Sequence, residues 1–257
     1  MKKIYFAVVL VLTSLVGVAH ADSSVYGQLW AGSTEKSLQF SQAVLGVKAG
    51  LGGTAAADVS YNALANGLYS ASVSYGGLVQ SGDSLSVGLQ ASAVDKWLDA
   101  TLGQSALNCF GCAPSKSAIY EFGVLGGKVA LTGNEANNYS VAASAGVIPG
   151  TLNAIASGTY DNPSGKWLAR GGLQLTAGAF SVVADGSKPD GADCEYGVAG
   201  KAALFSGVGV FGKIRKGGAL LVGPTYDATK QLAVALGVGR DAAGADYHTD
   251  LRISANF

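Results

Sequence analysis

Apolar and polar residues alternate along most of this chain. In the last eleven residues, "YHTDLRISANF", every second residue counted back from Phe257 is apolar or aromatic, apart from Thr249, and the residues between them are polar or charged. The segment "KWLARGGLQL" (166–175) has the same pattern, with Leu168 as an apolar exception on its polar side. A period of two is typical of β-strands whose two faces contact different media. The pattern therefore predicts an all-β protein.

Sixteen alternating segments can be counted between turn signals, and their lengths cluster near ten residues. That is the length of a tilted strand that crosses a membrane. The predicted spans are 24–32, 42–51, 54–62, 68–77, 83–92, 117–124, 127–133, 139–147, 151–160, 166–175, 179–186, 194–204, 207–215, 218–226, 230–239 and 246–257. An even number of antiparallel strands brings both chain ends to the same side of a closed barrel. Fourteen strands is the alternative count.

The connections between these segments are of two kinds. Short Gly-rich or polar turns are predicted at 52–53, 80–83, 126–127, 149–150, 177–178, 206–207 and 227–230. Longer polar connections are predicted at 33–42, 93–116, 133–138, 161–165, 187–193 and 240–245. Tight turns at one end and longer loops at the other are typical of an antiparallel up-and-down β-barrel.

The first 21 residues have the form of a secretory signal peptide. Lys2 and Lys3 precede an apolar stretch at 4–18, and Ala19-His20-Ala21 is a small-x-small cleavage site. A retained membrane anchor is the alternative, but a spanning helix needs about 20 apolar residues and this stretch has about 15. We expect cleavage after Ala21, which leaves 22–257 as a single domain.

Composition limits the remaining classes of protein. Without Lys2 and Lys3 the chain has 15 basic and 17 acidic residues, so a nucleic-acid partner is not expected. Charged residues make up 13% of the chain, about half the usual fraction, and no second apolar run reaches the length of a membrane helix. A soluble secreted β-protein and a transmembrane β-barrel both remain open. The barrel is favoured because the polar faces carry mostly Ser, Gly and a few charges, whereas the outer face of a soluble sandwich should be charged.

Several stretches resemble the general-porin family of Gram-negative outer membranes, in particular its trimeric, sixteen-stranded members. "SSVYGQLWAG" looks like the first strand of that family, "LGVKAGLGG" like its second strand and first turn, "YDATKQLAVALGVGR" like its penultimate turn and strand, and "HTDLRISANF" like its closing strand. The resemblance covers both ends of the chain and the order of its elements. It implies an outer-membrane barrel with short periplasmic turns, an inward-folded third loop, and a water-filled channel for passive diffusion of small hydrophilic solutes and ions.

The resemblance also implies partners and one signal residue. Membrane lipid would contact the outer wall, a homotrimer is possible, and the terminal Phe257 would be an assembly signal for the barrel-assembly machinery. Two features depart from the family: the chain is well short of the usual length, and its third loop lacks an acidic Pro-Glu-Phe-Gly-type motif.

The long irregular stretch 93–116 occupies the position of the family's pore-narrowing third loop. Asp95 and Asp99 would then be acids of the constriction, and the opposing cations should come from inward-facing strand positions. Those inward bases are Lys48, Lys128, Arg170, Lys201, Lys213, Arg215 and Arg252. We take six residues as candidates for the pore constriction: Asp95, Asp99, Lys48, Lys213, Arg215 and Arg252. Inward acids at Asp58, Glu121, Asp185, Glu195 and Asp250 largely cancel the bases, and any single residue could simply face water in the channel wall.

The same loop contains Cys109-Phe-Gly-Cys112. No second cysteine pair accompanies it as a zinc site would require, so in an oxidising envelope a Cys109–Cys112 disulfide is expected. Cys194 could instead pair with either of them.

No catalytic residue, cofactor or metal is expected. The mature chain has a single histidine, His248, which alternation places inside the barrel beside Asp250, and this does not match the dyad of a lipid hydrolase. The main alternative to a channel is a non-conducting surface barrel, either an adhesin or a structural outer-membrane protein.

Overall fold

The computed structural model describes residues 23–34, 37–62, 67–95, 97, 115–228 and 232–256. The predicted signal peptide and the candidates Asp99, Cys109, Cys112 and Phe257 lie outside these residues. The described chain forms sixteen β-strands: β1 (Ser23–Thr34), β2 (Ser37–Gly52), β3 (Ala55–Asn62), β4 (Gly67–Gly76), β5 (Ser84–Gln90), β6 (Ser115–Val124), β7 (Gly127–Asn134), β8 (Asn138–Ile148), β9 (Leu152–Asp161), β10 (Lys166–Ala177), β11 (Phe180–Pro189), β12 (Glu195–Phe205), β13 (Val208–Arg215), β14 (Leu220–Asp227), β15 (Leu232–Arg240) and β16 (His248–Asn256).

Each strand pairs antiparallel with its neighbours in sequence, and the first strand pairs with the last. In β1, Leu29 lies opposite Ala43 of β2 on one side and opposite Ile253 of β16 on the other. This pairing closes the sheet into a barrel, so no edge strand is left with unpaired backbone groups. The predicted all-β, antiparallel up-and-down barrel with sixteen strands is confirmed, and the alternative of fourteen strands is wrong.

The predicted loop at 33–42 is an error. β1 continues to Thr34 and β2 begins at Ser37, with Ser33 opposite Leu38 in the register. The residues here are mostly polar, which is why alternation did not predict a strand. Backbone pairing does not require apolar side chains, however, and the two strands extend as a polar ribbon. Every other predicted strand end within the described residues lies within three residues of the observed one.

The predicted turn at 126–127 is displaced by one residue. Leu125 and Gly126 form the turn with φ of 49° and 81°, and Gly127 is the first residue of β7. A two-residue hairpin of this type needs positive φ at both central positions. Gly127 is needed for a different reason, since a Cβ there would lie 2.3 Å from the carbonyl oxygen of Ser144.

The connections alternate between the two ends of the barrel. We call one end the hairpin end. The first residues of β1 and the last residues of β16 lie there, together with the connections 53–54, 77–83, 125–126, 149–151, 178–179, 206–207 and 228–231. The loop end carries 35–36, 63–66, 91–114, 135–137, 162–165, 190–194, 216–219 and 241–247. The expected difference in length between the connections at the two ends comes from the third loop, 91–114, alone. No other connection exceeds seven residues.

The two faces of the wall differ in exposure and chemistry. On β10, Trp167 and Leu173 point outward and are 59% and 51% exposed, whereas Gln174 points inward and is 6% exposed. The outer wall carries exposed apolar side chains on strand after strand, with rows of aromatic residues near both rims. The row at the loop end includes Tyr61, Tyr139, Trp167 and Tyr196, and the row at the hairpin end includes Tyr75, Phe180, Phe205 and Tyr226.

The spacing of these rows gives the height of the apolar band. On β12, Tyr196 and Phe205 are nine residues apart. At about 3.3 Å per residue and a strand tilt of about 40°, that separation is about 23 Å along the barrel axis. Outer-membrane barrels have an apolar band about 25 Å tall between aromatic girdles. Among the described residues, no helix is long and apolar enough to cross a membrane.

Candidate functional site in the barrel lumen

The third loop begins inside the barrel. A short helical stretch includes residues 93–95 and 97, and Ala93 and Val94 pack against inward-facing apolar residues of the wall. These wall residues are Ile119, Ala130, Ala142, Ile155 and Val183, with Ala199 partly buried beside them. Ile119 has no exposed surface. The start of the loop is therefore fixed by an apolar core that lies on the inner side of β6–β9, β11 and β12.

Polar contacts also hold the loop in this position. The Ser92 hydroxyl accepts from the backbone N–H of Asp95 at 3.2 Å and donates to the Asp95 carboxylate at 2.7 Å, as a helix N-cap does. The Gln174 amide donates to the carbonyl oxygen of Trp97 at 2.6 Å, and the Trp97 indole N–H donates to Glu121 at 3.2 Å. The wall and the loop thus satisfy each other's polar groups.

Four charged side chains of alternating sign run from the loop along the wall, and we call them the charge chain. Asp95 contacts Arg170 of β10 at 2.5 Å, Arg170 contacts Asp185 of β11 at 3.2 Å, and Asp185 contacts Arg215 of β13 at 3.6 Å. All four side chains are mostly buried. Desolvated charges need such pairing, because an isolated charge removed from water is costly.

Gly197 makes the last link of the charge chain possible. Asp185 and Arg215 lie on β11 and β13, and β12 runs between them with Gly197 opposite both residues in the register. A Cβ at Gly197 would lie 2.8 Å from Cγ of Arg215. The Arg215 side chain crosses the intervening strand over this glycine, so a larger residue there would displace it.

The structure places the sequence-predicted candidates at different parts of the lumen. Asp95 and Arg215 belong to the charge chain, and Lys213 is buried on the inward face of β13 two residues from Arg215. Lys48 also faces inward and is exposed, but β2 is eight strands from β10 in either direction around the barrel, on the opposite wall. The register places Arg252 on the inward face of β16, and its side chain lies outside the described residues.

Sequence reasoning missed two members of the charge chain as constriction candidates. It placed Arg170 and Asp185 on inward faces but did not predict that Arg170 pairs with both Asp95 and Asp185. Alternation predicts which face a residue occupies and carries no information on its height or its position around the barrel. The expected arrangement, with loop acids facing cations across open water, is replaced at Asp95 by a direct ion pair with the adjacent wall.

Other charged groups line the lumen at its two ends. Lys201 pairs with Asp227 at 3.1 Å towards the hairpin end. At the loop end, Nε2 of His248 lies 3.6 Å from Asp250 and 3.9 Å from Asp241. Within the described ranges, no group of three or more His, Cys, Asp or Glu residues is arranged to hold a metal ion. Cys194 is exposed and forms no disulfide in the described part of the chain, and the predicted Cys109–Cys112 bridge lies outside it.

An apolar outer wall between aromatic rows, a polar lumen, and a third loop whose first residues pack inside define a class: this is a β-barrel with the fold of the bacterial porins. Two engineered variants of the Rhodopseudomonas blastica porin match the chain with TM-scores of 0.68 and 0.67. The match covers 91% of this chain and 99% of each porin, at 15% and 16% sequence identity. A third solved structure, described as "Asymmetric conductivity of engineered proteins", matches over the same shares with a TM-score of 0.67 and 15% identity.

These similarities confirm the porin fold that the sequence resemblance implied. No protein-family model matches the chain, and a comparison with curated proteins finds no match either.

Proposed function

We propose that this protein is an outer-membrane porin, a water-filled channel through which small hydrophilic solutes and ions diffuse passively. The observation that carries the proposal is the inversion of the usual protein arrangement. Large apolar side chains such as Leu173 and Val141 are exposed on the outside, and charged groups face the inside. A surface of this kind is stable against lipid, and a charged interior is stable against water. Both media are present only if the barrel crosses a membrane and its lumen is wet.

The charge chain is the proposed constriction element. The described start of the third loop occupies space next to β6–β12, so the open passage should be displaced toward the opposite wall, where Lys48 lies. Two acids and two bases in the charge chain offset each other, and Lys213 adds a positive charge beside them. Rings and rows of charge select ions by sign. A nearly balanced set should give weak selectivity between anions and cations, in line with the near-neutral charge of the whole chain.

The same proposal implies a location and an orientation for the barrel. The barrel would lie in the outer membrane of a Gram-negative bacterium, with lipid around its apolar band and the hairpin end toward the periplasm. The role of Phe257 as an assembly signal for the barrel-assembly machinery remains a prediction, as does a homotrimer. No catalytic role is part of the proposal, because the fold is that of a porin.

Single-channel recording of the refolded protein in a planar lipid bilayer tests the proposal. We expect open, ohmic current steps in KCl, with a small reversal potential in a salt gradient. The control is the same preparation after boiling, which should migrate as unfolded protein on a gel and give no steps. A barrel that is folded by the gel criterion but passes no current would contradict the channel.

That silent outcome is what the alternative, a non-conducting surface barrel, predicts. The apolar core beneath the third loop favours this alternative, since buried residues such as Ile119 and Val183 fill lumen space that water could occupy. The lack of a long loop other than 91–114 argues against an adhesin, which needs an extended surface for its partner.

A further inference from the structure

A cavity of ≈ 400 Å³ lies on the inner wall at the hairpin end, away from the charge chain. It is formed by β7–β10, and its inward-facing lining includes Lys128, Ser144, Gly146, Asn153, Gln174 and Thr176. The volume falls within the range of about 300–1,000 Å³ found for small-molecule sites.

A missing side chain leaves part of this space open. Gly146 faces the cavity, and a Cβ built on it meets no atom within 4 Å. Gly126, Gly127 and Gly150 line the rim, at or next to the adjoining turns. A larger side chain at position 146 would enter the cavity, so Gly146 leaves room for a solute beside the wall.

Hydrogen bonds between β9, β10 and the third loop hold the amide side chains of the cavity in place. Asn153 donates to the Gln174 side chain at 2.8 Å, and Gln174 in turn donates to the carbonyl oxygen of Trp97. Both amides are thereby fixed in orientation by the third loop. The side-chain oxygen of Asn153 and the second hydrogen of its amide group remain available to bind a solute.

Several donors in the cavity have no protein partner. Among the described residues, the ammonium of Lys128 makes no ion pair or hydrogen bond, and the hydroxyls of Ser144 and Thr176 make no hydrogen bond. No Asp or Glu lines the cavity. The site therefore presents one unbalanced positive charge together with hydroxyl and amide groups, with Lys128 and Thr176 exposed and Gln174 buried.

We propose that this cavity is a solute-binding site for a small monovalent anion that carries several hydroxyl groups, of the sugar-acid class. Lys128 would pair with the carboxylate as a compact point charge. Ser144, Asn153 and Thr176 would bind the hydroxyls, because each can both donate and accept. The solute would reach the site from the channel, so the inference rests on the proposed function for access, although binding itself can be measured without conduction.

Binding is tested on the refolded protein in detergent by saturation-transfer NMR, with gluconate as the probe and glucose as its neutral counterpart. We expect gluconate to bind more tightly than glucose. Lys128→Gln should weaken gluconate binding about tenfold, the usual loss for a hydrogen bond to a charged group. Gly146→Leu should abolish binding because its side chain fills the cavity.

Two variants control for charge and for glycine replacement. Lys48→Gln removes the same charge from the opposite wall, and Gly158→Leu changes a glycine on the outer face where an added Cβ also meets nothing within 4 Å. Both should bind gluconate as the wild type does. Equal losses from Lys48→Gln and Lys128→Gln, or equal affinity for gluconate and glucose, would overturn the site.

Bilayer recording separates this inference from the function. Gluconate should produce brief current blocks in the wild type that are absent in Lys128→Gln. If gluconate binds in detergent but the barrel passes no current, the channel is wrong and the site stands; if current flows but gluconate neither binds nor blocks, the site is wrong and the channel stands.

Discussion

Asp83 shows how a single side chain organises a connection at the hairpin end. It is 2% exposed, and its carboxylate accepts from the backbone N–H groups of Leu78, Val79 and Gln80 at 2.7–3.0 Å and from the Tyr120 hydroxyl at 2.7 Å. The bond from Tyr120 contributes most, and the three backbone bonds add to it, so the pKa of Asp83 is held well below its usual range. The three backbone bonds hold the connection 77–83 in its own conformation, and the bond from Tyr120 ties it to β6.

The depressed pKa has a consequence for stability against acid. Above the usual Asp pKa of about 4, the carboxylate is ionised in both the folded and the unfolded chain, and its bonds contribute in full. As the pH falls below about 4, the unfolded chain takes up a proton that the folded chain resists. The contribution of Asp83 is therefore lost progressively toward the lower folded-state pKa.

We predict that Asp83→Asn lowers the melting temperature of the refolded barrel at pH 7 and that the difference from the wild type narrows below about pH 4. Thermal unfolding of both proteins by circular dichroism from neutral to acid pH measures this. Tyr120→Phe is the control, because it removes one bond of four and should give a smaller loss at pH 7. A difference that is constant with pH would show that ionisation of Asp83 does not stabilise the turn.

At the scale of elements, the described residues of the third loop are attached to the inner wall of the barrel. Ala93 and Val94 contribute to an apolar core, Ser92 caps the short helical stretch, and Asp95 and Trp97 bond to two different strands, β6 and β10. Several independent contacts hold the loop in place. Loss of the ion pair of Asp95 alone should therefore change the charge balance of the lumen without releasing the loop.

We predict that Asp95→Asn shifts selectivity toward anions, because Arg170 then keeps only Asp185 as a partner and one positive charge is no longer balanced. The ratio of anion to cation permeability should rise roughly twofold, since a single charge acts through water with less than about 1 kcal/mol beyond 4 Å. Reversal potentials in a KCl gradient measure the shift.

Asp241→Asn is the matched control for that experiment. Asp241 lies in the loop-end connection 241–247 and is mostly exposed, so the same loss of charge there should leave the reversal potential nearly unchanged. If both variants conduct and neither shifts selectivity, the charge chain does not control the narrowest part of the passage.

The whole molecule is stable only if its two surfaces meet two different solvents. Tyr139 and Val141 are 55% and 56% exposed on the outer face of β8, while Ser140 between them points into the lumen. In water alone, a continuous apolar band of this height would drive association. The arrangement thus requires lipid outside and water inside at the same height.

We predict that Val141→Arg destabilises the barrel in lipid bilayers by about 2 kcal/mol, between the cost of a charge at the membrane midplane and its cost at the interface. Ser140→Arg, one residue away on the inward face, should cost much less because its charge meets water. Urea unfolding in phospholipid vesicles measures both. Equal costs for the two variants would contradict the assignment of the faces.

The alternation of apolar and polar residues along the chain was enough to predict the strands and which face each side chain occupies. Successive side chains of a strand point to opposite sides, so alternation is readable residue by residue, and Leu168 was recognised as an exception from the sequence. Short turns were found by their glycines. The error at 33–42 came from the same reliance on side chains, because strands at the rim are held by backbone bonds that polar residues such as Ser33 and Ser37 form equally well.

Only the closed barrel decided which inward residues meet. Asp95 and Arg170 are 75 positions apart in the chain, and their contact depends on the register of every strand pair between them and on the loop's fold. The passage of Arg215 across Gly197 and the cavity at Gly146 both depend on space left by an absent side chain, which alternation does not record. Sequence by itself therefore determined the kind of wall this protein builds, and tertiary structure decided the height and position of each charge, because those follow from register and closure.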